Sequence, residues 1–129
     1  MTAVLLDTSI LIEPPSGPRP DDEVGAISVI SLGELEVGVL VARSVDERAS
    51  RLERLERVRR TFDPLPVDEN VIRAYARAVA ASRESGRNPR VLDTLIAATA
   101  MANGLELLTR DIEQARLPGI QATTLGSGK

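Results

Sequence analysis

The chain has 129 residues, 43% hydrophobic and 27% charged, a composition that fits one folded domain and excludes a disordered segment. It contains no cysteine and no histidine, which removes disulfides, thiolate metal sites, cysteine nucleophiles, serine–histidine triads and the usual zinc sites. Net charge is −3, so any nucleic-acid role must come from where the charges lie and not from their sum.

Catalysis in such a chain is left to carboxylates, hydroxyls, arginine or a bound metal. No apolar stretch reaches the roughly 20 residues that span a bilayer. The start, Met1 to Leu6, has no basic region of the kind that opens a signal peptide. A cytoplasmic location is the expectation.

The apolar run Ala3 to Leu6 predicts a first strand, buried on both faces as in a parallel sheet, that stops at Asp7. Thr8 or Ser9 is placed to cap a short helix through Glu13. Pro14 to Glu23, with four prolines, one glycine and three acids, reads as a loop. Gly25 to Ile30 reads as a second strand. Ser31 to Glu34 spells a capping box, S-x-x-E, that opens an apolar helix to about Ala42. A second box, Ser44 to Glu47, opens an Arg-rich helix to about Arg60. Pro64 to Val67 is a connector or a short edge strand. Asp68 caps a helix to Ser85, apolar along Val71, Ile72, Tyr75, Ala76, Val79 and Ala80, and Gly86 stops it. Asn88-Pro89 pairs an N-cap with proline at the first helical position, and that helix runs to Ala102 before Asn103-Gly104. Leu105 to Thr109 is a further strand with Asp111 just past its end. A last strand spans Gln121 to Leu125. Residues 1–125 are expected to form one domain and 126–129 a frayed tail.

The alternation β, α, β, α, α, α, α, β, α, β predicts an α/β domain with a mainly parallel sheet. Sites in such sheets lie at the carboxyl ends of the strands. Asp7 and Asp111 each follow a predicted strand, and Glu34 lies four residues after another. Each acid also has a plain structural reading. Asp7 and Asp111 can be helix caps, with Gln114 completing a box after Asp111, and Glu34 can belong to its own box. Asp93, in the second turn of its helix, leads a row of small residues, Ala97, Ala100 and Gly104, that would let the helix approach the sheet closely. Taken together, the four form the one strong catalytic grouping that the composition leaves. Gathered carboxylates raise one another's pKa unless a cation resolves them, and Mg²⁺ prefers oxygen ligands.

Four segments resemble the PIN domain, and more narrowly the VapC toxins of bacterial toxin–antitoxin pairs. They are Leu5-Leu6-Asp7-Thr8-Ser9-Ile10-Leu11-Ile12, Ile27-Ser28-Val29-Ile30-Ser31-Leu32-Gly33-Glu34-Leu35, the run from Asp93-Thr94-Leu95-Ile96-Ala97-Ala98-Thr99-Ala100 through Gly104, and Leu107-Leu108-Thr109-Arg110-Asp111. Their order agrees with the family, and they span nearly the whole chain. The resemblance implies a three-layer α/β/α fold with a central, mainly parallel sheet. It implies an endoribonuclease that uses Mg²⁺ or Mn²⁺ and leaves a 5′-phosphate and a 3′-hydroxyl. Asp7, Glu34, Asp93 and Asp111 match the family's catalytic, metal-holding acids. Thr109, and Thr8 or Ser9, match its supporting hydroxyls. An antitoxin partner of the VapB kind and a homodimer are implied as well. Two departures stand out. The Pro-rich loop lies where many relatives carry a longer helix. Relatives often follow the fourth acid's position with an acid and a phenylalanine, whereas this chain reads Ile112-Glu113-Gln114-Ala115, which makes Glu113 a substitute for Asp111.

Fifteen of the sixteen basic residues are arginine, and seven of those lie between Arg43 and Arg60. A solvated helix with pairs Glu47–Arg51, Glu53–Arg57 and Glu56–Arg60 accounts for them, and phosphate contact or a partner groove is the functional alternative. With Phe62 and Tyr75 the only aromatics, base stacking cannot dominate RNA recognition. Two other readings compete. A non-catalytic PIN-like module would bind RNA or protein without cleaving. An aspartyl-phosphate enzyme could use Asp7 but would want a second aspartate at Ser9 and a lysine, and Lys129 is the only one.

Overall fold

In the computed structural model, residues 2–17 and 23–126 are described. Half of the Pro-rich segment, 18–22, and most of the expected tail, 127–129, lie outside them. The elements follow the expected alternation: β1 (Thr2–Leu6), α1 (Thr8–Ile12), β2 (Glu23–Ala26), α2 (Val29–Leu40), α3 (Val45–Thr61), α4 (Glu69–Glu84), α5 (Val91–Ala102), β3 (Glu106–Thr109), α6 (Ile112–Ala115) and β4 (Ala122–Thr124).

The strands form one sheet in the order β2-β1-β3-β4, and every pairing is parallel. Both faces are covered, which is why β1 carries the run Ala3 to Leu6 and β3 the pair Leu107-Leu108. Leu5 pairs in register with Leu107 and Leu6 with Leu108. Leu5 and Leu107 point to one core with Ile96, Ala97, Ala100 and Leu117. Leu6 joins the opposite core, built on Ile27, Leu35, Leu55 and Val58. Helices therefore sandwich the sheet, and the three-layer α/β/α expectation holds.

Two boundaries differ from the sequence reading. The second strand ends at Ala26, and α2 begins at Val29 with Ser28 as its N-cap, accepting from Ile30 N–H at 3.1 Å. The reason is tertiary. Leu65 brackets this turn by donating to Ile27 O at 2.8 Å and accepting from Val29 N–H at 2.9 Å. The box Ser31–Glu34 therefore lies inside the helix and caps nothing. Likewise α5 is capped by Arg90, without any side-chain bond, so Asn88-Pro89 stands ahead of the helix and Asp93 falls in its first turn. The box at Ser44 is present, with Glu47 N–H to Ser44 Oγ at 3.0 Å, and Asp68 accepts from Val71 N–H at 3.0 Å. Ala97 and Ala100 are fully buried, as the small-residue row requires. Gly104 instead ends the helix with φ +66°, the left-handed conformation that glycine adopts without strain.

On α3, Glu47–Arg51 and Glu53–Arg57 pair at 3.1 and 3.9 Å, whereas Glu56–Arg60 is absent among the described ion pairs. Arg59 reaches across to Glu36 at 3.3 Å. No helix of the described residues is long and apolar enough to cross a membrane.

Ile96 is fully buried between α5 and the sheet. Ile96→Ala is expected to cost about 2–5 kcal/mol in urea unfolding. Val45→Ala, at a residue 85% exposed, should stay within about 0.5 kcal/mol.

Candidate active site

The chain runs from β1 outward to β2 on one side, then crosses back to β3 on the other. The carboxyl ends of β1 and β3 therefore flank a topological switch point, where open parallel sheets leave a crevice. Asp7 and Asp111 stand just beyond these two ends.

Asp7 is 5% exposed. Its N–H continues the sheet by donating to Leu108 O at 2.9 Å. Its carboxylate caps α1, with Oδ2 accepting from Ser9 N–H at 3.0 Å, and Oδ1 accepts from Gln114 Nε2 at 3.0 Å. The structural and functional readings of Asp7 thus coexist, because a cap bond leaves further lone pairs on a carboxylate.

Glu34 sits in the second turn of α2 and is half-buried. Thr8 Oγ1 donates to Glu34 Oε1 at 2.6 Å and accepts from Ser31 Oγ at 2.8 Å. The starting serine of the expected box is therefore a buried prop for Thr8. Asp111 caps α6, accepting from Glu113 N–H at 2.9 Å and more distantly from Gln114 N–H at 3.4 Å. Its own N–H goes to Thr109 Oγ1 at 3.0 Å. Gln114 therefore does not close a box over Asp111.

Gln114 instead joins the site, and the sequence reading missed this. It is 2% exposed. Its Oε1 accepts from Thr109 Oγ1 at 2.7 Å, and its Nε2 donates to Asp7 Oδ1 and to Asp93 O, both at 3.0 Å. One amide thus links the ends of β1 and β3 to the start of α5. Of the expected supporting hydroxyls, Thr109 also stands 3.3 Å from Asp7 Oδ2, Thr8 holds Glu34, and Ser9 Oγ accepts from Arg110 N–H at 3.1 Å. Arg110 was missed too. Its Nε and Nη2 donate to Glu13 O at 2.9 and 2.7 Å, which ties the end of α1 to the end of β3.

Asp93 reports on the whole group. Its carboxyl is raised from 3.8 to about 6, first by burial and then by the negative charges of Asp7, Asp111 and Glu34, with Arg90 opposing weakly. Arg90 Nη1 lies 4.0 Å from Asp93 Oδ2. Three of the acids named from the sequence are thus near enough to act on the fourth, Asp93. Glu113 is not among the charges acting on Asp93. It is largely exposed and faces Arg116 at 3.8 Å, so the geometry favours Asp111 as the fourth acid. Among the described residues, no three carboxylates close into a ready-made metal cage. Asp93, Asp111 and Gln114 line an open cleft of about 650 Å³ together with Arg87, Arg90 and Arg116, and neither Asp7 nor Glu34 is among its lining residues.

Comparison with known proteins gives one consistent picture. The family model described as PIN domain matches residues 4–120. The chain is 41% identical over 121 residues to Ribonuclease VapC5 of Mycobacterium tuberculosis, covering 91% of this chain and 89% of that protein. It is 32% identical to Toxin FitB of Neisseria gonorrhoeae, covering 84% and 87%. The structure superimposes on a member of the VapBC family of toxin–antitoxin systems, VapBC-5 from M. tuberculosis, with a TM-score of 0.84 at 38% identity, over 98% of this chain and 99% of that one.

Two expectations follow from the polar network. The raised carboxyl at Asp93 means that the folded protein holds a proton the unfolded chain has released. Stability from this group is present below about pH 3.8 and is lost as pH rises through about 6. In EDTA at pH 7.5, Asp93→Asn should therefore stabilise the protein by about 1 kcal/mol after discounting for solvent screening, or roughly 3 °C of Tm. The gain should shrink at pH 5. Gln114→Leu should do the opposite in the same melts, losing about 1–3 kcal/mol, because it strips the partner from Asp7 Oδ1 and from Asp93 O.

Proposed function

We propose that this chain, which belongs to the PIN domain family, is a metal-dependent endoribonuclease and the toxin of a type II toxin–antitoxin pair. What supports the metal site is the half-buried place of the Asp93 carboxyl, raised by that burial and by the nearby negative charges of Asp7, Asp111 and Glu34. A cluster of like charges around a half-buried carboxyl is costly without a cation and favourable with one. The donor set is all oxygen, which suits Mg²⁺ or Mn²⁺. Asp7, Glu34, Asp93 and Asp111 would hold it. Bound there, the ion supplies positive charge to the scissile phosphate and makes an attacking water more acidic.

The rest is done by the protein. Gln114 and Ser9 N–H fix the two oxygens of Asp7, and Thr8 fixes Glu34, so neither carboxylate has to be ordered when substrate arrives. Fragments should carry a 5′-phosphate and a 3′-hydroxyl. A VapB-like antitoxin and a homodimer in the cytoplasm complete the reading. Support for the partner comes from the VapBC complex that the fold matches at 38% identity.

The test is incubation of the antitoxin-free protein with total bacterial RNA in Mg²⁺, in Mn²⁺ and in EDTA, beside Asp7→Asn. Discrete fragments in the metal lanes are expected, with none in EDTA and at least about a hundredfold less from the variant. A folded protein that cuts nothing in any lane would point to a binding module.

A further inference from the structure

The arginines conspicuous in the sequence are not the ones around the acidic cleft. Arg87 and Arg90 come from the connection between α4 and α5, and Arg116 follows α6. All three line the cleft that Asp93 and Asp111 also line. Arg90 and Arg116 pair with Asp93 and Glu113 at 4.0 and 3.8 Å, and their side chains are 85% and 62% exposed. Exposed pairs this long are weak and readily exchanged for a phosphate, which a guanidinium can grip through two parallel bonds. Arg87 has no carboxylate partner among the described ion pairs.

The α3 arginines are placed differently. Arg51 is committed to Glu47 and donates to Gly38 O at 2.7 Å, and Arg59 is turned to Glu36. Arg54 and Arg57 border a separate groove of about 430 Å³ with Leu6, Ile10, Val58 and Phe62, and none of the four acids reaches it.

We propose that Arg87, Arg90 and Arg116 form the phosphate-holding rim of the RNA cleft, gripping backbone phosphates next to the scissile one while Asp93 and Asp111 face the reacting phosphate below. The inference rests on the ribonuclease reading and extends it to the path of the substrate. The cleft is open and about 650 Å³ in volume, so a strand can cross it with adjacent phosphates against different arginines. Neither Phe62 nor Tyr75 lines it. Binding is therefore carried by phosphate contacts and is steeply salt-dependent.

The experiment measures binding of a short fluorescent single-stranded RNA to the full chain in EDTA across a range of NaCl concentrations. For Arg87→Ala/Arg116→Ala, the slope of log affinity against log salt should flatten by about 1.4, or about 0.7 for each lost contact. In Mn²⁺ the same variant should raise KM with kcat nearly unchanged. Arg48→Ala/Arg54→Ala/Arg60→Ala on α3 should leave both slope and cleavage as they were. The proposal is overturned if the cleft variant keeps the wild-type slope, or if the loss falls on the α3 variant. It is also overturned if the cleft variant loses affinity for polyglutamate but not for RNA, since the rim would then serve an acidic protein segment. Wild type that cuts RNA while the cleft variant keeps its slope sinks this inference alone. Wild type that neither binds nor cuts RNA with metal sinks the ribonuclease reading with it.

Discussion

Parallel pairing of β1 with β3 is the constraint on which the rest of the structure depends. Two short strands, buried on both faces, lie in register, and the pairing continues one step further where Asp7 N–H meets Leu108 O. That last bond sets the height at which β1 stops and α1 begins, and so places the Asp7 carboxylate beside Thr109. Because the chain leaves β1 in one direction and returns to β3 from the other, the loops after the two strands diverge and leave a crevice between them. The alanines at 97, 98 and 100 are fully buried, which lets α5 approach the sheet closely enough to bring Asp93 to the same crevice. Packing of small side chains thus becomes proximity of charges.

That proximity opposes stability. Burial raises the Asp93 carboxyl toward neutral titration, and the negative charges of Asp7, Asp111 and Glu34 raise it further. The protein offsets this by satisfying every other polar group around the site. Among the described residues, no buried side-chain nitrogen or oxygen lacks a hydrogen-bond partner. A half-satisfied network would add a desolvation penalty to the electrostatic one. What remains is a hydrogen-bonded frame in which the excess negative charge is the one quantity left uncompensated.

Much of this was legible in the sequence. The element order, the three-layer class and the four acids follow from apolar runs, caps and the resemblance of ordered motifs. What was not legible had partners far away along the chain. Ser28 and Ser31 are both good caps by local pattern, and the contact that chooses Ser28 comes from Leu65. Gln114 looked like the end of a capping box because three residues separate it from Asp111. Its real partners, Asp93 and Asp7, lie 21 and 107 residues away. The arginine helix drew the eye by composition, whereas Arg87, Arg90 and Arg116 are scattered over two segments and become a group only in the fold.

Gln114 does more than fill space. An apolar side chain in its place could exclude water but could not orient a carboxylate. The amide here does both, since it is buried and its hydrogen bonds are directional. Asp7 is thereby held by a donor on each oxygen, and the start of α5 is held through the Asp93 carbonyl, so two of the acids are indexed to each other through one side chain. The neighbouring Glu113 is free to point outward toward Arg116. It contributes charge to the rim of the cleft and leaves the floor to Asp111. An acidic protein can in this way present both signs of charge in one cleft: Asp93 and Asp111 line it together with Arg87, Arg90 and Arg116, so the net charge of the chain does not set the charge that a ligand meets there.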